Sequence, residues 1–249
     1  MASFSDMAHF YGFRRLTKAE DWRALARAED RAANHASYEL ARAWQGAGGI
    51  PAGIVAALDA AGMPELGGLE LDVGVVEKPV LVDTTMTPSV TDLTGYARNS
   101  RDDVVILAVE GKAHEPAGIS VRAWLRGDAR EPHPGAMPRR SRERRFEFLC
   151  ERLGLALDLE CGLQYQLLHR TVSAVVEAEL HGAVAAVLLI HAFGAMSPGH
   201  WSDYELFLKE LGLDGAVPAR VSGPASLGTR RSMPTYFLWW QDPTRSETA

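Results

Sequence analysis

The sequence predicts a mixed α/β (α+β) fold, a sheet flanked by helices with an N-terminal helical segment. Two observations predict it. The signals run from helical periodicity, through Val- and Leu-rich strands, to alternating helix and strand. "AVAAVLLIHAF", Ala183 to Phe193, is a continuous apolar run typical of a central strand covered on both faces. With 249 residues, the chain is long enough to bury a sizeable core.

Thr17-Lys18-Ala19-Glu20 has capping-box spacing. It predicts a helix to about Ala32, with Trp22, Leu25 and Ala26 on one face. A second helix over Tyr38 to Gln45 buries Leu40, Ala41 and Trp44, and "GAGG" (Gly46 to Gly49) ends it. Pro51 suits the first turn of a third, with Ile54, Val55 and Leu58 inward. Residues 1–66 therefore form a helical segment packed on a core over 67–249.

"LELDVGVVEKPVLVDTTM", Leu69 to Met86, predicts one or two strands, and a short element is expected around Asp92 to Ala97. "VVILAVEGK", Val104 to Lys112, predicts a strand. Gly127 to Ser141 is rich in Pro and Arg and predicts an exposed loop. A helix follows over Arg142 to Leu153, burying Phe146, Leu149, Cys150 and Leu153. Further helices are expected over Gln164 to Leu180 and Ser202 to Leu211, with a last strand at Tyr236 to Trp240.

Hydrophobic residues make up 47% of the chain and charged residues 23%, which fits a soluble globular protein. A net charge of −6 does not suit a general nucleic-acid binder, but a local basic patch can suffice. "PRRSRERR", Pro138 to Arg145, is such a patch. Cys150 and Cys161 match no C-x-x-C spacing and read as reduced thiols. The N-terminus shows no signal-peptide pattern, and no apolar run is long enough to span a bilayer. A cytoplasmic protein that makes no use of a membrane is the expectation.

The chemistry concentrates at Glu110-Gly111-Lys112. Residues two apart on a strand share a face, so Glu110 and Lys112 point the same way. Asp92 lies upstream, and a hairpin can bring it beside Glu110. Two carboxylates beside a lysine make an oxygen-rich pocket suited to Mg²⁺ or Mn²⁺. The competing reading is a solvated strand end. On the helix "QYQLLHRTVSAVVEAE", Gln166, Arg170, Ser173 and Glu177 fall on one line, with His169 at its flank. Either that line is a solvated face, or Gln166 and Arg170 sit above the carboxylates and engage a phosphate. His114 and Glu115 are weaker candidates. His191, inside the apolar strand, reads as a satisfied core histidine.

With Asp92, Glu110-Gly111-Lys112 and Gln166 in view, the sequence resembles the PD-(D/E)XK (restriction-endonuclease-like) nuclease superfamily. More closely, it resembles an uncharacterised bacterial domain-of-unknown-function family. "PSVTDL", "VEGKAHEP", "FLCERLGL" and above all "YQLLHRT" carry that resemblance. It implies a core of a helix, three strands, a helix and a strand, with a restriction-endonuclease-like mixed sheet. It implies a Mg²⁺ (or Mn²⁺) site from Asp92, Glu110 and the Gly111 carbonyl, with Lys112 catalytic and Gln166 beside it. Arg170, His169 and Arg140 are expected to bind substrate. The expected partner is nucleic acid, DNA before RNA, with a homodimer as one arrangement. The expected activity is metal-dependent phosphodiester hydrolysis; the alternative is a catalytically inactive nuclease fold that binds nucleic acid or protein. Ser89-Val90-Thr91 stands before Asp92 where the superfamily pattern has a proline, so Glu77 is the alternative first carboxylate.

Overall fold

The computed structural model describes residues 9–12, 14–23, 25, 36–113, 118–127, 137–194, 198–228 and 232–242. The first strands, β1 (His9–Tyr11) and β2 (Arg15–Leu16), precede α1 (Ala19–Arg23), α2 (Ala36–Ala47) and α3 (Ala52–Asp59). A meander follows: β3 (Glu70–Val80), β4 (Ser89–Arg98) and β5 (Val104–Lys112). Next come α4 (Val121–Arg126), α5 (Arg139–Leu153), α6 (Tyr165–Leu180) and β6 (Ala185–Phe193). The chain continues through α7 (Pro198–Glu210), β7 (Ser222–Leu227) and β8 (Met233–Asp242).

One eight-stranded mixed sheet results, in the order β2-β1-β3-β4-β5-β6-β8-β7. β3, β4 and β5 pair antiparallel, while β6 lies parallel to both β5 and β8. The α+β expectation, a mixed sheet flanked by helices, is met. Among the described residues no helix is long and apolar enough to cross a membrane.

β5 shows how the sequence fixes the layers. Val105, Leu107 and Val109 enter a core with Trp44, Ile54 and Leu58 of the N-terminal helices. Ile106 and Ala108 enter the opposite core, with Leu149 of α5, Val172 of α6 and Phe207 of α7. Alternation along the strand thus feeds two cores at once, and every residue from Val105 to Gly111 is buried. β6 behaves in the same way and is buried along its whole length, as its apolar run predicts.

Several elements differ from the sequence reading. Thr17 is capped by Asp21, not Glu20: its N–H donates to Asp21 Oδ2 at 2.9 Å and its hydroxyl at 3.2 Å. The Thr-to-Glu spacing identified the helix start but not the side chain that closes it. Only Ala19–Arg23 of that helix lies within the described residues, and Ala26 falls outside them. The element expected at Asp92 to Ala97 is a full ten-residue strand. β1, β2, α4 and β7 carried no strong periodicity. The α5 helix begins at Arg139, inside the stretch expected to be a loop.

His191 is a satisfied core residue, as expected. Trp44 Nε1 donates to His191 Nδ1 at 3.1 Å, and His191 Nε2 lies 3.0 Å from Asp242 Oδ2. Since Nδ1 accepts, Nε2 carries the proton and donates to Asp242. This chain of bonds pins α2 to β6 and β8.

Candidate active site

β4 and β5 pair down to Leu93 and Val109. One step beyond stand Asp92 and Glu110, where the ladder opens. Gly111 N–H donates to Asp92 Oδ2 at 2.9 Å, so the side chain replaces a ladder bond and is held at the strand end. A Cβ on Gly111 would come 3.2 Å from the Ala36 carbonyl oxygen at the start of α2. That close approach accounts for the glycine between Glu110 and Lys112.

Glu110 is 3% exposed, yet it is densely partnered. Its Oε1 accepts from Lys112 Nζ at 3.2 Å and from the Gln166 amide. Its Oε2 accepts from Arg170 Nε at 2.6 Å. Three of the roughly four acceptor positions on a carboxylate are therefore filled. The polar line of α6 is accordingly no solvated face. Arg170, Ser173 and Glu177 are buried. Glu177 accepts from Tyr96 Oη at 2.7 Å and pairs with Lys78 at 2.8 Å.

Arg170 also donates to Ser89 Oγ through Nη1 at 3.0 Å, and Ser89 Oγ lies 2.7 Å from His169 Nδ1. Arg170 Nη1 also lies 3.4 Å from His169 Nδ1; a guanidinium only donates, so Nδ1 is an acceptor and takes the Ser89 hydroxyl proton as well. His169 is then the Nε2–H tautomer. Burial, followed by the charges of Arg170, Arg145 and Lys112, pushes its pKa well below the usual histidine value. It is neutral at neutral pH.

The two carboxyls are driven apart. Burial, then the adjacent Glu110 carboxylate, raises Asp92 well above the usual range, and Glu77 adds to the rise. Burial also acts to raise Glu110, but Arg170 and Lys112 outweigh it and hold it low. The same two carboxylates raise Arg170 against its own burial. Of the pair, Glu110 ionises first as pH rises, and Asp92 holds its proton longer.

Glu77 faces Asp92 across the β3–β4 register, between the pairs Val76–Leu93 and Lys78–Thr91. Its φ is +52°, a left-handed value unusual for a non-glycine in a strand. Val76 packs with the N-terminal helices, while Val80, four residues on, packs with α5 and α6. Four residues along a regular strand would keep one face. The left-handed turn at Glu77 switches faces beside the carboxyl pair.

The residues present fit a divalent cation of the Mg²⁺ type. Asp92 Oδ1 takes no hydrogen bond among the described residues, and Glu110 Oε2 retains one acceptor position. A strand residue directs its N–H and C=O to the same side, so the Gly111 carbonyl turns with its N–H toward Asp92. Among the described residues no three His, Cys, Asp or Glu side chains converge into a cage. Mg²⁺ needs none, since it keeps several waters and uses one or two carboxylates.

Asp92, Glu110, Gly111, Lys112, Gln166, Arg170 and His169 are thus brought together. Arg140 is not: it is exposed on α5 and takes no part in this network. His114 and Glu115 lie outside the described residues. The sequence reading missed Ser89, which nothing in its local pattern marks. It also missed Arg145, which is 2% exposed and pairs with Asp83 at 3.0 Å. A signal for Arg145 existed, since it lies one helical turn before Leu149 on the buried face of α5.

No curated protein and no solved structure matches the chain. The model of the family described as Domain of unknown function (DUF6946) matches residues 15–244, and the chain belongs to that family.

Proposed function

We propose that the protein is a Mg²⁺-dependent nuclease that hydrolyses phosphodiester bonds, in DNA before RNA. One observation carries the reading: two carboxyls of opposed pKa shift meet a lysine, a glutamine and an arginine at the end of a buried strand. The order α3, β3-β4-β5 meander, α6, parallel β6 supports it, because that order is the one the PD-(D/E)XK resemblance implies. The left-handed Glu77 adds support, since backbone strain concentrates at functional sites.

Asp92, Glu110 and the Gly111 carbonyl would hold the metal, which supplies Lewis acidity and a water of lowered pKa. Lys112, tethered to Glu110, orients the attacking water and stabilises charge on the phosphoryl oxygens. Gln166 and Arg170 position Glu110 from above. Neutral His169 presents an Nε2–H donor to a phosphate oxygen without adding charge.

A second reading is a catalytically inactive member of the fold that binds nucleic acid or protein. The filling of three acceptor positions on Glu110 by Lys112, Gln166 and Arg170 favours it. Incubation with plasmid, single-stranded DNA and RNA, with Mg²⁺ and with chelator, separates the two. Cleavage that requires Mg²⁺ supports the nuclease. Intact substrates under all conditions, with no Mn²⁺ binding in solution, support the inactive fold.

A further inference from the structure

A cleft of about 400 Å³ lies between the strand-to-strand segment after β3 and the first turns of α5. Its lining includes Asp83, Thr84, Thr87, Ser141, Arg144 and Phe148. We infer that this cleft binds a nucleoside monophosphate unit. The inference rests on the nuclease reading only for the source of that unit, as part of a strand.

The entrance to α5 is electrostatically unusual. Pro138 occupies the N-cap and supplies no side-chain cap, and the first turn has no acidic residue. Arg139 and Arg140 are there instead, adding positive charge to the positive end of the helix dipole. Glu143 offsets part of it through Arg139 at 2.9 Å. Arg140 and Arg144 are exposed and make no ion pair among the described residues. An anion in the cleft would meet Ser141 and the exposed Arg144 guanidinium at the positive end of this helix.

A second observation points to the rest of the ligand. The Asp83 side chain is 4% exposed, and its Oδ2 is buried with no hydrogen-bond partner. Its Oδ1 is committed to Arg145, and to Thr85 Oγ1 at 2.6 Å. An O–H or N–H donor next to the phosphate, such as a sugar hydroxyl or base amino group, would satisfy Oδ2. Phe148 and Met137 give the cleft an apolar wall for a sugar or base. The volume falls in the range of small-molecule sites.

The cleft is also wired to the carboxylate site. Arg145 Nε donates to Tyr165 Oη at 2.7 Å, and the Tyr165 ring packs 4.6 Å from His169. His169 connects through Ser89 to Arg170 and Glu110. A nucleotide in the cleft would sit against the same scaffold that positions the acids.

The test is titration of the full chain with a nucleoside 5′-monophosphate, without metal, followed by NMR or calorimetry. Wild type should bind saturably, and Arg144→Glu, an exposed change that leaves the buried network intact, should bind at least about 10-fold more weakly. No saturable binding by folded wild type, or equal binding by Arg144→Glu, overturns the proposal. A short single-stranded oligonucleotide that competes for the cleft and binds more tightly identifies the unit as part of a strand. Failure to compete, with the mononucleotide still bound, identifies a free nucleotide. Lys112→Ala separates this proposal from the nuclease reading. It should bind the mononucleotide as wild type does, whether or not any nucleic acid is cleaved.

Discussion

Arg170 Nε donates to Glu110 Oε2 across 2.6 Å, and both side chains are buried. A buried ion pair adds little net stability compared with apolar residues of the same size, but breaking one leaves a stranded charge. Glu110→Ala and Arg170→Ala should each cost about 3–5 kcal/mol in chemical unfolding. Glu110→Met with Arg170→Met should recover much of that loss. Strictly additive single losses would contradict the pairing.

Asp92 should behave in the opposite way. Its folded pKa is raised, so its contribution to stability is present below the unfolded value of about 4 and is lost as pH climbs through the folded value. Glu110 is depressed, so its contribution is present above about 4.3 and is lost only in acid. Asp92→Asn should therefore gain stability relative to wild type as pH rises from about 4 toward neutrality, while Glu110→Gln should lose stability relative to wild type as pH rises through the acid range to about 4.3 and run parallel to it above. Urea unfolding from the acid range to neutrality measures both. Parallel curves for Asp92→Asn and wild type would remove the charge conflict from the account.

Cation binding should draw on the same conflict. Mg²⁺ should raise the unfolding temperature of wild type and should displace a proton, because Asp92 must ionise to act as a ligand. At about 100 times the dissociation constant the gain is about 2.7 kcal/mol. Calorimetry in buffers of different ionisation enthalpy reads the proton directly. Asp92→Asn should abolish both effects, and a Mg²⁺ response that persists in it would place the ion elsewhere.

Besides the apolar core, one buried histidine ties α2 to the sheet. Trp44→Phe keeps a smaller aromatic ring but removes the donor to His191 Nδ1, leaving a buried acceptor unpaired. A loss of about 1–3 kcal/mol is expected. Trp44→Ala, which also opens a cavity, should cost about 3–5 kcal/mol. No loss in Trp44→Phe beside a full loss in Trp44→Ala would show that ring volume, not the hydrogen bond to His191, is what holds α2 in place.

Much of the sheet was legible because alternation and apolar runs are local. Val105 to Val109 and Ala185 to Ile190 announce two-sided burial directly. The acids were legible too, since Glu110 and Lys112 are fixed by strand period alone. Asp92 needed the β4–β5 register, which the turn lengths permit but do not specify. The face switch at Glu77 was not legible, because nothing in "VVEKPV" signals a left-handed residue. Ser89 was invisible for a related reason: its value lies in where Arg170 and His169 land, which is a tertiary fact. Arg145 was misread as part of a charged patch because its neighbours Arg142 and Arg144 mask a position that points inward.

The most direct test is the rate of Mg²⁺-dependent cleavage by wild type, Glu110→Gln and Lys112→Ala, each first shown to be folded. Wild type should cleave. Lys112→Ala should lose about 10²–10³-fold in rate, the scale of removing one group that stabilises transition-state charge. Glu110→Gln should lose at least as much, since it removes a proposed metal ligand as well as the charge that anchors Lys112. Cleavage at the wild-type rate by either folded variant would contradict the proposed site.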